Sequence, residues 1–370
     1  MRVLALCSYP VEAAATRFRL AQFVEPLKSK GIDLTIKPFL DSSQFRSLYK
    51  SGDLPSKALG LASSTLKRSR EVFGVRKYDL ILIQREAMIF GPAFFEWLFQ
   101  NLGRIPMVLD LDDATYVKYL SPSYGRLGSA LKFFGKTDNL IKRATAVVCG
   151  NRFIAEYVEG LGSRAEVIPT VVDTTLFCPS ERSNEIPTIG WIGTHSTFAF
   201  LEPILPVFSE LAKKYKFRLK IVGAGLAPIR IEGVEVENLE WDLDRETADF
   251  RSLDIGLYPV SQLSSANQQW LLGKSGFKAI QYMAVGIPFV MSPVGVCSEM
   301  GVPGVTHFNA AGVDEWYDGL KKLLESSGLR ERMGNESRSF ALANFTVEVQ
   351  ADKLAGLLRQ ATSKHWGEQH

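Results

Sequence analysis

The sequence predicts an α/β protein built from two doubly wound, parallel-sheet units. Three observations predict it. Short, almost wholly apolar runs alternate with helix-period segments, as when parallel strands are buried on both faces and helices cross between them. The alternation restarts at TIGWIGT (188–194). Between the halves, CPSERSNEIP (178–187) is polar and proline-containing, as a linker is. The length agrees, since 370 residues is well past the size at which one core splits into two.

In chain order, VLALCS (3–8) reads as the first strand and PVEAAATR as a turn. A helix follows from about Phe18 to Lys30, and Gly31 ends it. IDLTIKPF is the next strand, followed by DLILIQR (79–85) and PMVLDLD (106–112), each mostly apolar. AVVCG (146–150) and AEVIPT (165–170) complete the first unit, with a helix over Arg152–Gly160 between them. In the second unit TIGWIGT leads to a helix, FRLKIVGAG (217–225), the VEVENLEW region, a helix through Asp249 and DIGLYPV (254–260). LLGKSGFKAIQYMAVGIPFVMSP (271–293) then supplies a glycine-rich opening, an apolar helix and a strand. Helices over about 313–325 and 347–360 close the chain, and ATSKHWGEQH at its end reads as frayed. The boundary near 175–187 gives an N-terminal domain over 1–180 and a C-terminal domain over 181–350. A C-terminal helix and tail over 351–370 remains, with a return to the first domain as one course open to it.

Hydrophobic residues make up 46% and charged residues 22% of the chain, as in a soluble globular protein. MRVLALCSYPVEAAA is too short and too soon interrupted for a signal peptide. No run approaches the roughly 18 apolar residues of a membrane span. The cytoplasm is the expected location. Cys7, Cys149, Cys178 and Cys297 are far apart and form no metal-ligand spacing, and there are only four histidines. No metal centre and no nucleic-acid partner are expected. The net charge of +3 is uneven: residues 1–180 carry 24 Lys and Arg against 17 Asp and Glu. A basic first half suits an anionic or lipid-linked acceptor, or peripheral contact with an anionic membrane face; ordinary surface scatter is the alternative. The basic-aromatic stretch LKFFGK (131–136) points the same way, or is simply helix core and helix surface.

Ligands of doubly wound sheets sit beyond the C-terminal strand ends. The segments there are therefore the candidate sites. Gly273, Lys274, Ser275, Gly276, Phe277 and Lys278 precede the helix AIQYMAVG. Open N–H groups at a helix start favour an anion, and glycine permits its approach. Lys274 and Lys278, four apart, would share a helix face and suit a diphosphate. The spacing is not that of a P-loop, and a glycine turn with two solvated lysines is the bland alternative. In IGWIGTHST (189–197), Gly193 permits close approach at a strand end, and Thr194, Ser196 and Thr197 are donors. His195 reads as a capping or packing residue before it reads as a base. Gly223 lies in IVGAG (221–225), a strand and tight turn without the full dinucleotide fingerprint.

In the first unit DLDDAT (110–115) ends a strand with three carboxylates, costly unless water, a cation or a hydroxylated ligand meets them. Asp110 and Asp112 should project to one side of the strand. Asp113 is the natural cap of a following helix. Arg17 and Arg19 (ATRFR, 15–19) are candidates to hold an acceptor phosphate or carboxylate. Arg85 and Glu86 follow another strand as cleft-edge residues, or pair with one another.

Together these segments resemble the retaining nucleotide-sugar glycosyltransferases of the GT-B fold, family-4-like and group 1. IPTVVDTTLFCP (168–179) is similar to the interdomain strand and linker of that family, and IGWIGTHST to the opening of its donor domain. GFKAIQYMAVGIPFVMSPVG (276–295), with Glu299 after it, resembles the family's most informative segment. RERMGNESRSFALANFTVE (330–348) resembles its C-terminal helix pattern. The resemblance spans nearly the whole chain. It implies two Rossmann-like domains facing across a cleft, the first for the acceptor and the second for a nucleoside diphosphate sugar. No cofactor is implied beyond that donor.

The family usually carries two glutamates with seven residues between them. Gly273 and Gln281 stand at those positions. The resemblance therefore implies that Gln281 contacts ribose hydroxyls without charge, and that Lys274 or a neighbour compensates for Gly273 or the donor is held differently. Thr194 stands where the family has an arginine, and the lysines of GKSGFK would supply that charge. Asp112 stands where many relatives have a histidine, which marks it as the candidate for orienting the acceptor or balancing charge on the sugar ring. A subgroup with DxDD and GKxGFK combines these changes.

The reaction implied is sugar transfer to an acceptor hydroxyl with retention, in cell-surface polysaccharide, lipopolysaccharide or other glycoconjugate synthesis. Lys274 or Lys278 would stabilise charge on the leaving diphosphate. The lysine-rich loop supplies counter-charge, so turnover without metal is expected. Two rivals stay open. One is a nucleotide-sugar epimerase, which needs acid/base residues that the donor loops are poor in. The other is a non-catalytic nucleotide-sugar-binding protein, favoured by the missing glutamates.

Overall fold

The computed structural model describes residues 1–48, 54–118, 133–181, 185–260 and 268–367. Its contacts divide the chain into two units. One is Met1–Thr170 joined by the segment from Val347 onward; the other is Val171–Thr346. Leu131 and Lys132 of the LKFFGK stretch, and residues 182–184 of the polar linker, lie outside the described residues.

In the first unit, β1 (Arg2–Cys7), β2 (Asp33–Pro38), β3 (Leu80–Gln84), β4 (Met107–Leu111), β5 (Ala146–Cys149) and β6 (Ala165–Val167) form a parallel sheet in the order β2-β1-β3-β4-β5-β6. The runs LILIQ and MVLDL are buried at every position, as central strands covered on both faces must be. Helices α1 (Ala14–Arg19), α2 (Val24–Ser29), α3 (Ser42–Leu48), α4 (Leu54–Phe73), α5 (Phe94–Gly103), α6 (Lys136–Arg143) and α7 (Arg152–Gly160) connect them. The single helix expected over Phe18–Lys30 is instead α1, a turn of 3-10 helix over Ala21–Phe23, and α2. The restart places Pro26 in a first helical turn, where its missing N–H costs nothing. The C-terminal helix Val347–Gly367 packs against α2, with Lys30 paired to Asp352 at 2.5 Å and Arg359 donating to the Lys30 carbonyl at 2.6 Å. The tail read as frayed is therefore helical through Gly367.

The second unit repeats the plan. Its strands β7 (Thr188–Ile192), β8 (Arg218–Val222), β9 (Glu235–Leu239), β10 (Ile255–Tyr258), β11 (Phe289–Met291) and β12 (His307–Asn309) run parallel in the order β12-β11-β10-β7-β8-β9. Helices α8 (Leu205–Ala212), α9 (Glu246–Arg251), α10 (Gln268–Leu272), α11 (Phe277–Ala284), α12 (Val313–Glu325) and α13 (Ser327–Asn344) cover it. Tyr282 of α11 is fully buried, and its hydroxyl donates to the Leu257 carbonyl at 3.0 Å, which seats α11 on β10.

The edge strand β12, not anticipated from sequence, carries His307. This imidazole is wholly buried and stacks on Phe289 at 5.2 Å. Burial pushes its pKa from the ordinary 6.5 down to about 4. A group with a lowered folded-state pKa binds its proton more readily when unfolded. Its contribution is therefore present above about pH 6.5 and lost as pH falls toward 4. The second unit is expected to lose on the order of 3 kcal/mol over that window, and His307→Phe to remove most of the dependence. Urea unfolding at a series of pH values, followed by amide exchange in β11 and β12, checks this.

Candidate functional site

In the first sheet the chain leaves β1 toward β2 on one side and returns as β3 on the other. The topological switch point therefore lies between β1 and β3, where doubly wound sheets bind ligands. Ser8 and Arg85–Glu86 stand at the ends of those strands, and Ser8 Oγ donates to the Glu86 carbonyl at 3.3 Å. Arg85 has φ 62°, a left-handed conformation that a side chain with a Cβ adopts at a cost of about 1–2 kcal/mol. Its N–H donates to the Asp110 carbonyl at 2.8 Å, which fixes the turn against β4. Strain of this kind persists where the surroundings over-determine it, and it clusters at functional sites.

The three carboxylates of DLDDAT are met by arginines. Arg85 Nε and Nη2 donate to Asp112 Oδ1 and Oδ2 at 2.5 and 2.6 Å, a bidentate pair. Gln84 Nε2 adds a bond to Oδ1 at 3.2 Å. Burial raises the Asp112 carboxyl, and the Arg85 guanidinium more than offsets this, holding it below the usual carboxylate range. Asp113 Oδ2 accepts from Arg85 Nη2 at 3.0 Å. Asp113 is thus an arginine partner, and no helix cap by it occurs among the described residues. Arg85 and Asp113 are the outward members of the cluster, their side chains 25% and 29% exposed against 9% for Asp112.

Arg19 and Asp110, expected to face an acceptor, are used internally. Both are buried: Arg19 Nη2 pairs with Asp110 Oδ1, Nε donates to Oδ2 at 3.1 Å, and Nη1 donates to the Ile168 carbonyl at 2.7 Å. Buried charges must pair, and these two satisfy one another. Glu86 does not pair with Arg85. It binds Lys136 Nζ at 2.6 Å, and Lys136 also donates to the Met88 carbonyl at 2.9 Å. Sequence reasoning missed Lys136 as a partner. Arg17 lies over the Phe18 ring at 4.6 Å and donates to the Glu12 carbonyl at 3.1 Å.

The second sheet has its switch point between β7 and β10. GTHST follows β7, and GKSGFK lies in the crossover from β10 to β11 at the start of α11. Thr194, His195 and Ser196 are exposed. The Thr194 N–H donates to Thr197 Oγ1 at 2.9 Å, and the Thr194 hydroxyl lies 3.0 Å from that of Ser196. These groups cap the short 3-10 helix His195–Phe200. Gly223, at φ 86°, brings the turn after β8 against the one after β7: a Cβ there would lie 2.4 Å from the Gly193 carbonyl oxygen. The two glycines predicted to admit a ligand therefore also pack on one another.

Gly276, at φ 64°, is the residue before the first turn of α11, and a Cβ on it would strike Met300 Cε at 2.5 Å. The dihedral favours glycine, and the flexible end of Met300 would have to move for any side chain there. Lys274 Nζ sits 3.5 Å from the centroid of the Trp270 ring, and Trp270 in turn stacks with Phe200 at 6.3 Å. This aromatic pair joins the two loops. Trp270 was not singled out from sequence; its place four residues before Lys274 was the available signal. Lys278 Nζ donates to Gln281 Oε1 at 2.9 Å and lies 5.0 Å from the Phe250 ring. Gln281 is fully buried, with Nε2 unpartnered. Gly273 is buried, while Ser275 and Phe277 are half-buried around the same turn.

No protein-family model matches the chain, and no curated protein matches its sequence. Solved structures do match in fold. A glycosyltransferase from Rickettsia africae superposes with a TM-score of 0.69 at 14% identity, covering 97% of this chain and 98% of that one. HepE of Anabaena in complex with UDP-glucose gives 0.67 at 15% identity, covering 97% and 100%. Sucrose-phosphate synthase from Thermosynechococcus elongatus gives 0.66 at 15% identity, covering 98% and 100%. The fold is GT-B. Its two Rossmann-like units, expected from the resemblance, are the two sheets described above. Within this GT-B chain, no group of three or more His, Cys, Asp or Glu residues placed to hold a metal ion occurs among the described residues.

Proposed function

We propose that this GT-B chain is a retaining glycosyltransferase, moving a sugar from a nucleoside diphosphate sugar to an acceptor hydroxyl in polysaccharide, lipopolysaccharide or other glycoconjugate synthesis. One observation carries the reading: GTHST and GKSGFK bracket the switch point of the second sheet, joined by the Phe200–Trp270 stack and bearing Lys274 and Lys278. The same fold holding UDP-glucose in HepE supports it.

In this reading the α11 N–H groups, Lys274 and Lys278 receive the diphosphate, and the charge that grows on it as the glycosidic bond breaks. Gln281, expected from the resemblance to contact ribose hydroxyls, is fully buried and holds Lys278 instead. Being neutral, it leaves the ammonium charge uncancelled, where a glutamate would cancel it. The acceptor oxygen bonds to the anomeric carbon from the leaving-group side, and its proton passes to the departing diphosphate oxygen. No protein nucleophile is needed. In the first unit Arg85, its charge shared between Asp112 and Asp113, is the acceptor-side donor, suited to an acceptor hydroxyl. Asp112 positions it.

The purified protein, incubated with nucleoside diphosphate sugars and hydroxylated or lipid-linked acceptors, is expected to release nucleoside diphosphate and yield α- or β-product matching the donor. Turnover is expected to be unchanged by a chelator. Conversion of the donor to an epimer would replace this reading with an epimerase. Tight donor binding without release or transfer would replace it with a binding protein.

A further inference from the structure

We propose that the outer face of α4 docks the first unit on an anionic lipid surface. This helix contributes its inner side to the fold. Leu61 joins Phe39, Leu40 and Ile89 in a cluster of the loops that follow β2 and β3. Ser64 donates to Gln44 at 3.0 Å, and the buried Arg68 donates to the carbonyls of Cys7 and Lys37, each at 3.1 Å. Those carbonyls stand at the C-terminal ends of β1 and β2. Arg68 therefore ties α4 to the sheet edge that bears Ser8 and Arg85.

The outer side is apolar where it should be polar. Leu59, Leu66 and Phe73 recur every seven residues, which on a helix is one line, and they are 72%, 54% and 84% exposed. A polar face is what an exposed helix side ordinarily presents. Lys67 and Arg70 of the helix are exposed, as are Arg76 and Lys77 in the short 3-10 turn that follows it. The one acidic residue of the helix, Glu71, is held by Arg68 at 2.8 Å. An apolar line accompanied by an excess of positive charge, which Asp41 near Lys67 offsets only in part, is the pattern of a helix lying in a lipid headgroup layer.

The charge also selects among occupants. A second copy meeting this face about a two-fold axis would bring the same cations together. An anionic bilayer meets them with opposite charge while its acyl boundary takes the leucines and the phenylalanine. No helix among the described residues is long and apolar enough to cross a membrane, so the contact lies at the surface. The inference uses none of the donor-site residues and stands apart from the transferase reading.

The test is flotation of the full chain at physiological salt with vesicles of phosphatidylcholine alone, and with phosphatidylglycerol added. The protein is expected to float with the anionic vesicles only. Lys67→Gln/Arg70→Gln/Lys77→Gln is expected to lower partition about a hundredfold, at roughly fivefold per charge. Leu59→Ser/Leu66→Ser/Phe73→Ser is expected to abolish flotation with circular dichroism unchanged; should it not fold, the charge variant decides. Absence from anionic vesicles overturns the proposal, as does equal flotation with neutral ones or wild-type flotation of the folded variants. A dimer in sedimentation velocity that the serine variant dissolves would assign the face to a second copy and overturn it too.

Discussion

Arg19→Met is expected to destabilise the first unit by about 3–5 kcal/mol, the cost of leaving a buried charge without its partner. Arg19 is 4% exposed and Asp110 is 3% exposed, so neither can recover its loss from solvent. The guanidinium closes on both carboxylate oxygens and on the Ile168 carbonyl. One side chain thereby joins the end of α1, the end of β4 and the segment after β6. Asp110→Asn should cost a similar amount, because it strands the guanidinium. Arg19→Met/Asp110→Leu removes both charges and should recover much of either loss, since an apolar pair of similar volume often replaces a buried ion pair at little cost. Urea unfolding of the three variants, followed by exchange of the β1 and β4 amides, measures this. A change below about 1 kcal/mol in the single variants would show that the pair carries little of the unit's stability.

The pair also marks the limit of what the sequence shows. DLDDAT announces three carboxylates in a row at a strand end, and their cost if unmet. Their partners do not stand nearby: Arg19 is 91 positions from Asp110, and Arg85 is 27 from Asp112. Adjacent strand ends bring these residues together, and strand order is not written in local pattern. Glu86 and Lys136 meet in the same way. The central strands were legible because a strand covered on both faces is mostly apolar, as LILIQ and MVLDL are but for Gln84 and Asp110 near their C-terminal ends. Helix α4 was not read at all. Its apolar line faces outward, and Ser64 and Arg68 interrupt the inner side between Leu61 and Val72, so periodicity offered only a broken core-facing stripe. In the second unit the glycine–lysine turn before α11 was legible from composition. The packing of Gly223 on Gly193, and the Trp270–Phe200 stack that joins the loops, depend on the strand order again.

Lys274→Ala/Lys278→Ala is expected to weaken nucleoside diphosphate sugar binding at least a hundredfold. Each charge-assisted bond to a phosphate contributes about 1.5–3 kcal/mol, and two are removed. The structure adds reasons for the size. Trp270 beneath Lys274 and the Gln281–Phe250 setting of Lys278 hold both ammonium groups beside the first turn of α11, so little side-chain freedom is lost on binding. Gln281 accepts a bond from Lys278 without taking its charge. The second unit is expected to keep its fold in the double variant, because neither lysine is fully buried.

Isothermal titration of a panel of nucleoside diphosphate sugars into the wild-type protein, Lys274→Ala/Lys278→Ala and Arg85→Gln measures the central claim most directly. One saturable donor site is expected in the wild type, with loss of at least two orders of magnitude in the double lysine variant and unchanged donor affinity in Arg85→Gln. Equal affinity in a folded double lysine variant, or no binding of any member of the panel by the wild type, would contradict it.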